Sequence, residues 1–196
     1  MTTATVGDDM PTGQPYVTGE FHLTDHDGED VSDATYLGQW VIVFFGFTHC
    51  KMVCPRALAR LSAVIERIGP AAEQIQPLYI TVDPDRDTPE VMKSFLEIDY
   101  PRFTGLSGSE SQVEDAKRSF RVFSTKVADP DDPDSYQTPH SAFTFVLGPD
   151  GRYRAHFTDA VDEDEMVERL EALLASGRQG ADIRDSFSKE QCERSP

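Results

Sequence analysis

The chain has 196 residues, of which 38% are hydrophobic and 27% charged, and it carries a formal net charge of −17 at pH 7. This length suits one globular domain, and the acidity excludes a nucleic-acid partner, because binding to phosphates requires a basic surface. The longest apolar run, residues 40–47, is much shorter than the roughly 20 apolar residues that cross a bilayer, so we expect no membrane segment in this chain.

The first half of the chain predicts a hairpin followed by alternating strands and helices. Residues 1–19 show no hydrophobic periodicity and predict a flexible leader. The run at 40–47 is apolar at every position, which is typical of a central strand covered on both faces. The predicted elements are, in order, a hairpin around Asp27-Gly28, the strand at 40–47, a helix over about 55–68, a strand at 77–82 and a helix that starts at Pro89.

The second half predicts one more helix, a hairpin and a closing helix. The predicted elements are an extended piece at 103–106, a helix over about 109–121, strands at 140–147 and 152–157, and a helix over about 162–175. The acidic, proline-containing segment 128–139 is predicted to be the most mobile internal loop, and residues 176–196 a disordered polar tail. One βαβ crossover followed by a hairpin and a helix predicts a thioredoxin-like α/β domain over residues 20–175, with a central mixed sheet flanked by helices and an N-terminal β-hairpin.

Cys50 and Cys54 lie at the junction between the central strand and the first helix. Free backbone N–H groups at a helix N-terminus favour thiolates, and the positive charge of Lys51 acts in the same direction, so we predict a lowered pKa for both thiols. Helical residues four apart have Cβ atoms about 5–6 Å apart, whereas a disulfide requires roughly 3.5–4.5 Å. The pair therefore fits either a strained, reducible disulfide or a shared soft metal ion such as copper(I).

His140 is the candidate third ligand, because it begins a strand that is expected to flank the central strand and to bring its end near the cysteines. Met52 offers a thioether beside the site, but we interpret it as a packing residue rather than as a weak fourth ligand. Cys192 is expected to be a free thiol on the tail.

The acidic and basic residues of segment 81–89 are interpreted structurally. Asp83, Arg86 and Asp87 are predicted to hold the turn before the second helix rather than to contact a metal or a partner.

Three segments, 45–55, 81–89 and 140–151, resemble the SCO/SenC family of copper-binding proteins, which help to assemble the dicopper centre of cytochrome c oxidase. The resemblance extends from about residue 17 to 175. It implies a thioredoxin-like fold and a site in which Cys50, Cys54 and His140 bind one copper ion, Cu(I) or Cu(II). It further implies that the partner is the copper-bearing oxidase subunit or another copper carrier.

The resemblance also implies a location in the periplasm or on the outer face of the cytoplasmic membrane. The chain as given shows neither a signal peptide nor the family's usual membrane anchor, so the compartment is left open. We expect the protein to be a monomer.

The chain departs from the family pattern at two places beside the site. Lys51-Met52 stands where the family usually has Pro-Asp, and Pro139 stands where it usually has Asp directly before the histidine. A carboxylate beside a ligand histidine can orient its ring, so its loss is expected to weaken copper binding or to alter copper transfer.

Three functions are compatible with these residues. The first is a copper chaperone, and the second is a thiol–disulfide oxidoreductase in which Cys50 and Cys54 act on the cysteines of a copper-site partner. The third, a peroxidase, is disfavoured because the threonine and proline expected just before the reactive cysteine are missing.

Overall fold

The computed structural model describes residues 17–129 and 132–192. In these ranges the strands and α-helices are, in chain order, β1 (His22–Asp25), β2 (Asp30–Ser32), β3 (Trp40–Gly46), α1 (Val53–Ile68), β4 (Ile75–Thr81), α2 (Pro89–Leu96), β5 (Thr104–Ser107), α3 (Glu110–Phe120), β6 (Val127–Asp129), β7 (Asp132–Gln137), β8 (Thr144–Leu147), β9 (Tyr153–Phe157) and α4 (Glu163–Cys192). Among the described helices, none is long and apolar enough to cross a membrane.

A mixed sheet forms the centre of the domain, with the strand order β2-β1-β5-β4-β3-β8-β9. Strands β3, β4 and β5 are parallel, and β8 runs antiparallel to both β3 and β9. The helix α1 makes the crossover from β3 to β4, and β1 and β2 form the N-terminal hairpin. This is the predicted thioredoxin-like arrangement, and the fold prediction is confirmed.

Strand β3 is buried along its whole length because helices cover both faces of the sheet. On one face Phe44 packs in a cluster with Leu58 and Leu61 of α1. On the other face Phe45 contacts Phe120 of α3, with 5.3 Å between their ring centroids. An apolar residue at every position of β3 is therefore what its location requires.

The prediction of a loop over residues 128–139 is wrong for most of its described part, because β6 and β7 pair there as antiparallel strands. The mobility of this segment stays a prediction. Tyr136 of β7 contacts the loop that follows β4, because Arg86 lies over its ring and donates to its carbonyl, and its hydroxyl donates to Asp83. A pattern of prolines and aspartates does not indicate this tertiary contact.

The termini also differ from the expectation. Val17, in the predicted leader, is buried in the core, and residues 1–16 of that leader lie outside the described residues. Helix α4 continues to Cys192, through most of the segment that we predicted to be a disordered tail. Residues 178–192 contain many helix-favouring types such as Ala, Arg, Gln, Lys and Glu, which is consistent with a continued helix.

Gly46, the last residue of β3, allows α1 and β4 to approach the strand closely. A Cβ added at this position would lie 2.5 Å from Oη of Tyr79 and 2.8 Å from Sγ of Cys54. Both neighbours are fully buried, so neither can move aside without disturbing the core.

We expect Gly46→Ala to lower the free energy of unfolding by about 1–3 kcal/mol, because it overpacks a filled core. Gly148→Ala is the matched control, since the added Cβ would meet only the flexible guanidinium end of Arg154. Urea unfolding followed by circular dichroism measures both. Equal urea midpoints for Gly46→Ala and wild type would show that the core accommodates a methyl group at position 46.

Candidate metal and redox site

The two cysteines occupy different kinds of position at the junction between β3 and α1. Cys54 lies in the first turn of α1 and is fully buried, whereas Cys50 lies in the preceding loop and is half-buried. The backbone N–H of Cys54 donates to Sγ of Cys50 over 3.4 Å, and both thiols are free. The spacing argument, which placed both residues on one helix, is therefore wrong, because α1 begins only at Val53.

Hydrogen bonding divides the pair into one thiolate and one thiol. The Cys54 thiol donates to Cys50, and together with backbone N–H groups at Cys54, Met52 and Val53 it lowers the pKa of Cys50 to about 5. The same interaction with Cys50, reinforced by burial, raises the pKa of Cys54 far above its ordinary value. The predicted lowering holds for Cys50 and is wrong for Cys54. Lys51 is not among the main causes.

His140 follows the β6–β7 hairpin and bridges to Ser124. The prediction that it begins a strand of the central sheet is wrong, because β8 starts only at Thr144. Its Nε2 lies 2.9 Å from the carbonyl oxygen of Phe45, and its Nδ1 lies 3.0 Å from that of Thr138. A neutral imidazole has a single N–H, so only the doubly protonated ring can donate to both carbonyls. A metal ion needs a lone pair on one of these nitrogens, so His140 must give up at least one of the two contacts to become a ligand.

The three predicted ligands meet at the end of β3 without forming one coordination group. His140 is hydrogen-bonded to Phe45, Cys54 packs over Gly46, and the backbone N–H of Cys50 donates to the carbonyl of Phe47 over 3.2 Å. Over the described residues, no set of three or more His, Cys, Asp or Glu side chains is arranged to hold a metal ion. The structure thus shows the three groups adjacent to one strand end, with His140 bonded to backbone.

Asp87 fixes the loop that carries Cys50. Its carboxylate accepts hydrogen bonds from the backbone N–H and hydroxyl of Thr48, over 3.1 and 2.6 Å, and from the hydroxyl of Thr81 over 2.7 Å. Burial raises the pKa of Asp87 above its usual range. Sequence analysis assigned Asp87 to the turn before α2. It missed the link to Thr48, because residues 39 positions apart are joined only by the folded sheet.

Asp83 and Arg86 hold the β6–β7 hairpin against the same region. Arg86 donates to Asp83 over 2.5 Å and to the carbonyl of Tyr136 over 3.1 Å, and its guanidinium carbon lies 3.8 Å from the centre of the Tyr136 ring. The Tyr136 hydroxyl donates in turn to Asp83 over 2.8 Å. The predicted turn residues therefore also position the strand that leads to His140.

Tyr79 is a buried neighbour of Cys54 that sequence analysis counted only as part of a strand. Its ring is fully buried, and its hydroxyl shares the space over Gly46 with the Cys54 sulfur. Burial raises the pKa of Tyr79 well above its ordinary value, so the hydroxyl keeps its proton. An apolar strand pattern predicts burial but does not reveal which sulfur a hydroxyl faces.

Two other predictions concern residues beside the cysteines or near the chain end. Met52 is 80% exposed, so the interpretation of Met52 as a packing residue is wrong. The thiol of Cys192 lies outside the described side chains.

A family model described as SCO1/SenC matches residues 9–175. The chain belongs to the SCO1/SenC family. It is 36% identical over 154 residues to an SCO2-like protein of Rickettsia conorii, which covers 79% of this chain and 75% of the relative. It is also 36% identical to the human mitochondrial protein SCO1 homolog, over 74% of this chain and 48% of the human protein.

Solved structures of family members share this fold. The structure of Arabidopsis thaliana ScoI with copper bound matches with a TM-score of 0.75 and 30% identity, covering 83% of this chain and 99% of that one. The structure of Bradyrhizobium japonicum ScoI with copper bound matches with a TM-score of 0.72 and 35% identity, covering 80% of this chain and 98% of that one. The resemblance inferred from three sequence segments is confirmed.

Because Cys50 and Cys54 differ in pKa and in burial, we predict that an alkylating reagent modifies only one of them. We expect iodoacetamide to modify Cys50 with a rate that rises through pH 5 and is level above it, because the thiolate is the nucleophile, while buried Cys54 stays unmodified. Peptide mass spectrometry on a Cys192→Ser background assigns the site. Cys54→Ala should move the midpoint upward, since it removes the main hydrogen-bond donor. A wild-type midpoint near the ordinary value of about 8.5 would contradict this assignment.

Proposed function

We propose that this SCO1/SenC protein is a copper chaperone. Its cargo is one Cu(I) or Cu(II) ion, bound by Cys50, Cys54 and His140 and passed to the copper-bearing subunit of cytochrome c oxidase or to another copper carrier. The observation that supports the proposal is that His140, Cys54 and Cys50 each lie against residues 45–47 at the end of β3. Copper-bound structures of two relatives support the choice of metal.

The donor set suits copper chemically. Thiolates are soft ligands that favour Cu(I), and an imidazole suits both Cu(I) and Cu(II). Cys50 is ready as a thiolate at neutral pH, whereas Cys54 must release its proton to become a ligand. His140 must also exchange at least one carbonyl contact for the metal. Copper uptake is therefore expected to release a proton and to rearrange the histidine.

Copper titration of the reduced protein tests the ligand set. We expect one equivalent to bind, Cys50→Ser and Cys54→Ser to abolish tight binding, and His140→Ala to weaken it by at least about 10-fold. His22→Ala is the control, because His22 is an exposed histidine of β1, at the other end of the sheet from β8 and β9. Competition with a Cu(I) chelator measures the affinities. Unchanged affinity of His140→Ala, or less than one equivalent with both thiols reduced, would refute the proposed site.

A second function, thiol–disulfide exchange, is favoured by the difference between the two thiols. The Cys50 thiolate can attack a partner disulfide, forming a mixed disulfide and releasing one partner thiolate, which takes up a proton. Cys54 then loses its proton and attacks the Cys50 sulfur, which releases the second partner thiol. The partner is reduced, and the Cys50–Cys54 pair is oxidised to a disulfide.

The two functions use the same sulfurs, so we expect oxidation and copper binding to exclude each other. A disulfide sulfur offers no thiolate, and the oxidised protein should therefore lack tight Cu(I) binding until it is reduced. The measurement is an anaerobic Cu(I) titration of the reduced and oxidised forms, on a Cys192→Ser background that removes the third thiol. Full-affinity binding by the oxidised form would rule out a site built on both sulfurs.

A further inference from the structure

The hydroxyl of Tyr79 lies in the core without an ordinary hydrogen-bond partner. Its oxygen is buried and makes no hydrogen bond of normal geometry, to sulfur or to any other atom, in the described part of the chain. The group with which it interacts electrostatically is the Cys54 thiol. Buried hydroxyls normally find a partner, because the interaction with water lost on folding has to be replaced. The atom that shares its space is the sulfur of Cys54, since both would touch a Cβ added at Gly46.

The ring of Tyr79 is fixed by its neighbours, so the position of the hydroxyl is not an accident of a mobile side chain. Phe44 stacks on it with 6.2 Å between centroids and an interplanar angle of 15°, and Phe95 stacks on it at 5.8 Å and 24°. Such a stack accommodates a phenylalanine equally well. Packing alone therefore does not explain a hydroxyl at this position.

The Cys54 sulfur is suited to accept a hydrogen bond. A cysteine sulfur carries lone pairs that can accept a weak hydrogen bond. A hydroxyl that donates to this sulfur extends a chain of hydrogen bonds from Tyr79 through Cys54 to Cys50, and members of such chains polarise one another.

We propose that Tyr79 is a positioning residue whose hydroxyl donates a hydrogen bond to the Cys54 sulfur and tunes it as a copper ligand. This inference rests on the proposed copper function. A cysteine sulfur binds copper as a thiolate, and a hydroxyl that donates to a thiolate makes a charge-assisted hydrogen bond. The bond is thus stronger in the loaded protein than in the free protein, and it favours loading.

Tyr79→Phe removes only the hydroxyl. We expect copper affinity to fall by about 10-fold, as is usual when a residue that supports a metal ligand is lost. The sulfur-to-Cu(II) charge-transfer band should shift to lower energy, because a thiolate without the hydrogen bond gives up an electron more easily. Tyr100→Phe is the matched control, since Tyr100 belongs to the same aromatic cluster but its hydroxyl donates to the carbonyl of Pro55 over 3.2 Å.

Unchanged affinity and an unchanged band in Tyr79→Phe would overturn the inference, while failure of the wild type to bind copper would overturn the proposed function instead. A copper-free measurement decides the hydrogen bond in either case. In protein labelled at tyrosine Cζ, the Tyr79 hydroxyl proton should exchange slowly with water, and Cys54→Ala should accelerate this exchange while that of Tyr100 is unaffected. Equal exchange of Tyr79 in wild type and Cys54→Ala would refute the bond.

Discussion

The end of β3 has to accommodate two side chains in the space that a single methyl group would occupy. Cys54 from α1 and Tyr79 from β4 both reach the volume over Gly46, and this is possible only because residue 46 has no side chain. Since Phe45 and Phe47 on either side of this glycine bond to His140 and to Cys50, the same strand end determines where each predicted ligand lies. The tight packing of the core thus sets the geometry of the site.

One segment, 81–89, connects the two halves of this site. At its end Asp87 binds Thr48 and so holds the loop of Cys50, and near its start Asp83, with Arg86, binds Tyr136 and so holds the hairpin before His140. Both carboxylates are fully buried, where an unpaired charge is costly, so each is satisfied by several donors. A substitution in this segment is therefore expected to shift both the loop of Cys50 and the hairpin before His140.

The fold could be predicted because it depends on patterns that are local in sequence. An apolar run such as that of β3 indicates a covered strand, and the cysteine spacing indicates a functional turn, without knowledge of distant contacts. The rest depends on contacts between segments far apart in the chain. Local periodicity predicts neither the contact between Arg86 and Tyr136, which are 50 positions apart, nor the exposure of Met52. The pKa values of Cys50 and Cys54 differ because the Cys54 thiol is the donor and Cys50 the acceptor of their hydrogen bond. The sequence alone does not reveal these roles.

The contacts of His140 bear on the departure at Pro139, where the family pattern has a carboxylate. In this chain the ring is oriented by the carbonyls of Phe45 and Thr138, so backbone performs the orienting function that we expected to be lost. A backbone carbonyl is a weaker hydrogen-bond acceptor than a carboxylate. On the proposed function, Cys50 is available first as a thiolate, Cys54 follows with loss of its proton, and His140 is the ligand that has to leave an existing bond. A partner protein can then most easily influence copper uptake and release through the contacts of His140. The hairpin that precedes this residue is held by side chains of the loop after β4 rather than by the central sheet.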